Sequence, residues 1–393
     1  MSQKHLSGEI PVPPSERIFL LDAVRGFALF GVLLANLSSF SFPEAVGAQR
    51  VISTVGDILI STKFLTLFSI LFGAGFYYQW ERLRKKGDFR KFFLKRMFWL
   101  FVIGSIHAHF LWFGDILRIY ALCGMLMLFF PLQNSKAILV WAIILMVPLT
   151  AIAFIGQSLT PYLTQDYPDG EAIKQAFTQG SYIDVMAINW AIDPIRHFYK
   201  DSILTLTTTL GKVLFGAWLA HKGFFSHPLA NPKMLKNWIL AGLFFGLPCS
   251  IAYWALSNGH LEIDSPALLW IPFVVAGGLV LHSLLYLSFF VYWYERAVRS
   301  KLSQLLEHTG RMSLTNYLSQ TLVGILVFYG IGLGLGGAMS PSALYVFGTI
   351  FFIVQMLFSD WRVRHVGTGP VEGLWRRLTY PRRKSLLTRS SQF

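Results

Sequence analysis

The stretch His107–Gly124, HAHFLWFGDILRIYALCG, sets two His, an Asp and an Arg between two apolar runs. Either run alone reads as a membrane helix. An ionisable group at the centre of a bilayer costs about 2.5–3.5 kcal/mol on insertion scales, so such groups persist where they are paired or put to use. The helix leading in climbs from a basic segment, through Arg96 to Phe113. Gly114 breaks it, and Asp115 is placed to cap the next helix. Arg118 follows one turn in on the same face, where an i,i+3 pair can form. The stretch predicts a helical hairpin with a charged, glycine-hinged tip.

Working outward, 54% of the 393 residues are hydrophobic and 14% charged, with a mean hydropathy of +0.51. Soluble domains carry about 25% charged residues, so the composition points to an all-α, polytopic integral membrane protein. The first apolar run is too long for a signal peptide, lacks a small-residue cleavage site and carries Asp22 and Arg25 near its start, so it is expected to remain as a span. The net charge of +14 raises nucleic acid as a partner, but its distribution speaks against that. Basic residues crowd into alternate loops, as the positive-inside rule requires. Cys123 and Cys249 lie in apolar runs away from any CxxC or Cys/His pattern and read as small core hydrophobes.

Ten apolar runs are long enough to span, at roughly 18–40, 56–80, 97–113, 116–132, 137–157, 201–220, 238–257, 266–292, 313–334 and 342–361. With the N-terminus inside, the inner segments hold 26 of the 34 Lys and Arg. The loop 81–96 alone reads ERLRKKGDFRKFFLKR. The expected organisation is a cytoplasmic tail over 1–16, about ten transmembrane helices over 17–361 and a basic cytoplasmic tail over 362–393. The longest outer loop, 158–200, mixes Asp166, Asp169, Glu171, Asp184 and Asp193 with Trp190, Phe198 and Tyr199. It reads either as a solvated loop with an aromatic anchor or as the mouth of a site. The C-terminal DWRVRHVGTGPVEGLWRRLTYPRRK suits an amphipathic segment on anionic lipid headgroups. The lipid bilayer is therefore the expected partner, and a homodimer is compatible with such a bundle. The tetrapeptide GDIL occurs at Gly56–Leu59 and at Gly114–Leu117, each time at the expected start of an inward-running helix.

Polar residues within the runs mark candidate sites. Asp22, Arg25 and Asn36 fall within about 60° on one helical stripe, with Asn36 some 16 Å beyond Arg25. The pair Asp22–Arg25 reads as a headgroup anchor or as the entrance of a polar pathway that ends at Asn36. His107 and His109 point about 160° apart on a regular helix, so they cannot both hold one metal ion from it, and no metal site is expected. One of them is expected to face the interior, as a proton-transfer group or as a His satisfied by a backbone carbonyl. Asn316 and Gln320, at i,i+4, indicate a lined cavity or an interhelical contact.

Four motifs together resemble the YeiB-like family of bacterial inner-membrane proteins, a family without an assigned reaction. They are LDAVRGFALFGVLLAN, TLFSILFGAG, GSIHAHFLWFGDILRIYALCG, and GRMSLTNYLSQ followed by GPVEGLWRRLTY, and the likeness spans about residues 17–380. The resemblance implies a ten-helix bundle in the bacterial inner membrane. More distantly, the first helix is similar to that of transmembrane acyltransferases of the heparan-α-glucosaminide N-acetyltransferase type. Their Asp-x-x-Arg-Gly start is matched by Asp22, Arg25 and Gly26, their later Asn by Asn36, and their Gln-Arg pair by Leu117-Arg118. The chain departs where those enzymes carry a catalytic His, reading Ala45-Val46-Gly47-Ala48, and no His occurs between His5 and His107. A shared chemistry would draw its base from His107 or His109.

Two functions fit. In the first, a cytosolic acyl donor of the acyl-CoA type docks at the inner Arg and Lys residues, with Asp22, Arg25, Asn316 and Gln320 as candidate donor-binding residues. A His deprotonates a small-molecule acceptor in the outer half, beside Asp115, while Asn36 or Arg118 steadies the oxyanion. The second is a transporter, or a protein that binds a lipid or small metabolite without catalysis. It uses the same polar stripe and draws support from a helix broken at Gly114.

Overall fold

The computed structural model describes residues 18–84, 89–149, 151–152, 168–193, 195, 200–261, 270–297 and 300–380. The expected tail over 1–16, residues 85–88 of the basic loop, much of the outer loop (including Asp166, Phe198 and Tyr199) and residues 381–393 lie outside them. The described residues form helices and turns, with no strand among them. In chain order the helices are α1 (Phe19–Ser41), α2 (Ala48–Leu59), α3 (Lys63–Leu83), α4 (Phe89–Phe110), α5 (Leu117–Met127), α6 (Ser135–Met146), α7 (Gly170–Thr178) and α8 (Tyr182–Ala191). They continue with α9 (Lys200–His221), α10 (Pro232–Ser257), α11 (Ile271–Arg296), α12 (Lys301–Arg311), α13 (Ser313–Phe328), α14 (Pro341–Val366) and α15 (Pro370–Thr379).

Among the described residues, six helices are long and apolar enough to cross a membrane: α1, the α2–α3 pair taken together, the Ile203–His221 part of α9, α10, α11 and α14. The other expected spans are helical but shorter or more basic. Helix α4 begins with Arg90, Lys91, Lys95 and Arg96. Helices α5, α6 and α13 have 11, 12 and 16 residues. The α4–α5 hairpin turns beneath α8, which packs on the end of α4.

Helix α1 is the axis of the bundle, packing against α3, α11, α12, α13 and α14. Two crossings are set by glycine. A Cβ on Gly26 would lie 2.2 Å from the Leu306 carbonyl oxygen, and one on Gly310 would lie 1.8 Å from that of Asp22. Helices α1 and α12 thus touch backbone to backbone. Gly73 of α3 and Gly216 of α9 meet the partner backbone in the same way, at Val213 and Ile70. In lipid, where apolar side chains gain nothing by leaving water, such close approach is the main source of helix–helix attraction.

The expected continuous span over 56–80 is broken. Gly56–Leu59 forms the last turn of α2 rather than opening the inward helix, and α3 starts at Lys63 after a turn in which Thr62 takes φ 68°. The second GDIL does precede its helix as expected. Helix α10 carries a π-turn at Gly242–Gly246 just before Pro248, a residue with no N–H to give to an α-helical ladder. Helix α14 runs to Val366, beyond the expected end at 361, and stops at Gly367 in the left-handed region (φ 84°).

Candidate functional site

At the end of the bundle away from the basic loops, the α4–α5 hairpin gathers its charged residues into one buried network. His107, near the end of α4, is bonded through Nδ1 to Asp115 Oδ2 at 2.9 Å. Its Nε2 faces the Thr321 hydroxyl of α13, also at 2.9 Å. Asp115 uses its other oxygen to accept the Arg118 backbone N–H at 2.9 Å. It therefore caps the first turn of α5 although it stands two residues before the helix. The Arg118 guanidinium lies 3.4 Å from the same oxygen. The i,i+3 pair read from the sequence is formed.

Arg118 also reaches out of the hairpin. Its Nη1 donates to Asp193 Oδ2 at 2.9 Å, and His109 Nε2 meets that oxygen at 2.8 Å. Asn189 of α8 fastens the same region, accepting from Phe113 N and donating to the Leu111 carbonyl. Tyr182 donates to the Phe110 carbonyl. The outer-loop helices are thus stitched over the hairpin tip, and the side chains of His107, Asp115, Arg118 and Asp193 are all at most 3% exposed.

His109 Nδ1 faces the Ser105 carbonyl at 2.8 Å and its Nε2 faces the Asp193 carboxylate, both of them acceptors. His107 stands between the Asp115 carboxylate, an acceptor, and the Thr321 hydroxyl, which can give or take a proton. Two carboxylates, Asp115 and Asp193, thus lie against the Arg118 guanidinium and the two imidazoles. A buried charge set of this kind is tolerable because it is paired and hydrogen-bonded. Burial works against the charged form of Asp193, but the hydrogen bond and charge of Arg118, the Ile195 N–H and His109 outweigh it and hold the carboxyl below its ordinary range. Among the described residues, buried Trp112 Nε1 has no hydrogen-bond acceptor, and Arg118 Nε is held only by its ion pair with Asp115 at 3.4 Å. A buried donor left unmade costs about 1–3 kcal/mol.

The basic end is open where the far end is closed. A cavity of about 470 Å³ lies between α1, α3, α4, α12, α13 and α15. Arg25, Arg82, Arg96, Arg311 and Arg376 line it, against only two carboxylates, Asp22 and Glu372. Both carboxylates are engaged. Asp22 pairs with Arg25 at 3.0 Å. Glu372 accepts from Leu314 N, Thr315 N and the Thr315 hydroxyl, capping α13. Burial pushes its carboxyl up, against those hydrogen bonds. The Arg96 guanidinium stacks on Trp375 with 3.7 Å to the ring centroid, and Trp375 Nε1 donates to the Arg96 carbonyl. Phe68, Phe72, Phe93 and Met97 form the wall facing the hairpin.

The candidate residues therefore divide between two levels. His107, His109, Asp115 and Arg118 meet at the far end. Asp22 and Arg25 line the cavity. Asn36 joins neither group: it is half-buried and makes no side-chain hydrogen bond among the described residues. Asn316 and Gln320 are interhelical contacts rather than cavity lining. Asn316 donates to Thr309 O and Ser359 Oγ, and Gln320 donates to Gln355 Oε1, tying α13 to α12 and α14. The sequence reading did not single out Asp193, Asn189, Thr321, Arg96, Arg311, Arg376 or Glu372 as site residues. Position −3 from Gly114–Asp115 and +3 from Arg118 carry no hint of Asp193, 75 residues on. Arg96 belongs to the basic loop whose Arg and Lys are expected, as a group, to dock the donor, and Arg376 and Glu372 belong to the tail expected on headgroups. The amphipathic segment of the tail forms α15 and is a wall of the cavity.

A family model described as "Protein of unknown function (DUF418)" matches residues 219–382. The chain is 32% identical to "Uncharacterized protein YxaH" of Bacillus subtilis (strain 168), covering 94% of this chain and 96% of that protein. It is 30% identical to "Uncharacterized protein YeiB" of Escherichia coli (strain K12), covering 93% and 96%. A third relative, "Uncharacterized 39.9 kDa protein in amylase 3'region" of Bacillus acidopullulyticus, is 26% identical over 96% of this chain and 98% of its own. No solved structure matches the chain.

Proposed function

The chain belongs to the YeiB-like family of helical membrane proteins of unknown function, and from that premise we propose that it is a membrane acyltransferase that draws an acyl group from a cytosolic, phosphate-bearing thioester donor of the acyl-CoA type. The observation that carries the reading is the arginine-lined cavity at the basic end. Its volume of about 470 Å³ lies within the range of roughly 300–1,000 Å³ usual for small-molecule sites. Guanidinium groups match phosphate oxygens two at a time, and of the two carboxylates present Asp22 is bonded to Arg25 while Glu372 is bonded to the first turn of α13. The aromatic wall of Phe68, Phe72 and Phe93 suits the apolar part of such a donor.

His107 stands about 16 Å beyond Arg96 along α4 at 1.5 Å per residue. A donor anchored by its phosphates would need an extended arm of that order to bring its thioester to the His. There His107, oriented by Asp115, acts as general base toward an acceptor. Bilayer lipids surround the bundle in the bacterial inner membrane, and the acceptor is a small molecule on the outer side.

A second reading, a transporter for an anionic metabolite or lipid, is favoured by a specific observation: one end is open and the other is sealed by Asn189 and Asp193, as alternating access requires. Purified protein in nanodiscs separates the two. Acetyl-CoA labelled in the acetyl group and, separately, in the nucleotide is supplied with a mixed pool of hydroxyl and amine acceptors. Acyl transfer predicts that acetyl label leaves the nucleotide; label that binds and stays intact refutes the enzyme reading in favour of carriage. The proposed arrangement of ten spans with both termini inside is checked in cells. Single Cys labels at Gln49 and Asn258 should react with an impermeant thiol reagent from outside, while labels at Lys86 and Ser385 should not. Outside labelling of Lys86 sinks that topology.

A further inference from the structure

The network at the hairpin tip contains a side chain that the reading above leaves without a task. Thr321 of α13 is 1% exposed and directs Oγ1 at His107 Nε2, at 2.9 Å. On its other side the imidazole holds Asp115 at 2.9 Å. Carboxylate, imidazole and hydroxyl thus stand in series, the order in which a buried acid orients a base and the base takes a proton from a nucleophile. Asp115 is itself fixed by the Arg118 backbone N–H, and the Tyr317 ring packs against the imidazole with centroids 5.2 Å apart. A helical Thr ordinarily gives its proton to the carbonyl four residues back; Thr321 makes no such bond among the described residues and gives it to the His instead.

We propose that Thr321 is an acyl-accepting nucleophile, so that transfer proceeds through an acyl-threonine on α13. The inference rests on the acyl-transfer reading and adds a covalent intermediate to it. In the first step the Thr321 oxygen bonds to the thioester carbonyl carbon while its proton passes to His107 Nε2. The carbon–sulfur bond breaks, and the thiolate leaves with that proton. In the second step His107 takes the proton of an acceptor hydroxyl or amine, whose oxygen or nitrogen bonds to the same carbon. The carbon–Oγ1 bond breaks, and the proton returns from His107 to Thr321. Each step begins and ends with neutral His107. Access follows the stitching of α8: the acceptor reaches Thr321 when the Asn189 and Asp193 bonds to the hairpin release.

The test uses the full-length protein in nanodiscs with acetyl-CoA labelled in the acetyl group, and no acceptor. The wild type should retain label after denaturation, and the peptide spanning Ser313–Phe328 should carry one acetyl group on Thr321. Thr321→Ser should keep the label, and Thr321→Val should lose it while binding acetyl-CoA with unchanged affinity, because the arginine cavity is untouched. His107→Gln should slow labelling at least a hundredfold. Transfer that continues in Thr321→Val at the wild-type rate, with no label on the protein, overturns the intermediate and leaves direct transfer by His107 standing. Absence of both binding and transfer in the wild type overturns the parent reading instead. Label on His107 rather than Thr321 overturns the assignment of the nucleophile.

Discussion

Arg118→Ala is expected to destabilise the protein more than any other single change at the hairpin tip, by about 3–5 kcal/mol, the cost of breaking a buried pair by removing one partner. The size follows from what is left behind. Asp115 and Asp193 lose their shared guanidinium, and two carboxylates at most 3% exposed remain with only imidazole donors. Removing one carboxylate should cost less, since Arg118 keeps the other. Asp193→Asn leaves Asp115 in contact, and its amide still offers an oxygen to Arg118. Asp115→Asn likewise retains an oxygen for the first turn of α5. A neutral triple variant, Asp115→Asn with Arg118→Gln and Asp193→Asn, should recover much of the loss, because replacing all the charges together strands none of them. Thermal unfolding in detergent, followed by tryptophan fluorescence, ranks the series. Equal midpoints for Arg118→Ala and the triple variant would show that charge pairing does not hold the tip together.

The second large effect is expected at the opposite level. Arg376→Gln removes one cavity arginine that makes no hydrogen bond within the described protein, so the fold should be indifferent to it. If that guanidinium binds a donor phosphate, its loss forfeits a charge-assisted hydrogen bond worth about 1.5–3 kcal/mol. At about 1.4 kcal/mol per decade, affinity for acetyl-CoA should fall roughly ten- to a hundredfold. Arg96→Gln should reduce it at least as far, and it additionally uncovers the Trp375 ring. Wild-type affinity should weaken with added salt, since the attraction is between charges at an open site. Equilibrium binding of labelled acetyl-CoA with thermal unfolding as a control checks both variants. Unchanged affinity in each, with unchanged melting, would remove the cavity as the donor site.

How far the sequence anticipates these features depends on the range of the interaction. The Asp115–Arg118 and Asp22–Arg25 pairs lie three residues apart, and a helix brings such residues together whatever surrounds it; both were legible. The third partner was not. Asp193 reaches Arg118 only because α7 and α8 fold down onto the hairpin, and nothing local to either residue encodes that. Asn36 shows the opposite failure. Its stripe along α1 is real, but a shared face does not say which neighbour the face meets. Asn316 and Gln320 were equally consistent with a cavity and with a contact, and the choice was made by Ser359 and Gln355 on α14. The break at Ile60–Thr62 carries no proline or glycine, and only the short polar run Ser61-Thr62-Lys63 interrupts the apolar sequence there. The tail was read as lipid-facing because its basic and apolar residues alternate helically, a pattern that fits a headgroup layer and a protein wall alike.

The Glu372 contact has a consequence for how the molecule is made. Helix α13 starts at Met312 with no side-chain cap of its own, and its first amides are satisfied by a carboxylate lying more than fifty residues further along the chain. A ribosome delivers α13 long before it delivers Glu372. Until then the first turn waits with unmet N–H groups, at a penalty of about 0.5–2 kcal/mol for a missing cap. The arginine cavity lacks its α15 wall for the same interval. Membrane insertion and completion of the cavity are thus separate events in time, and a nascent chain halted before Pro370 would be a bundle without a finished binding site.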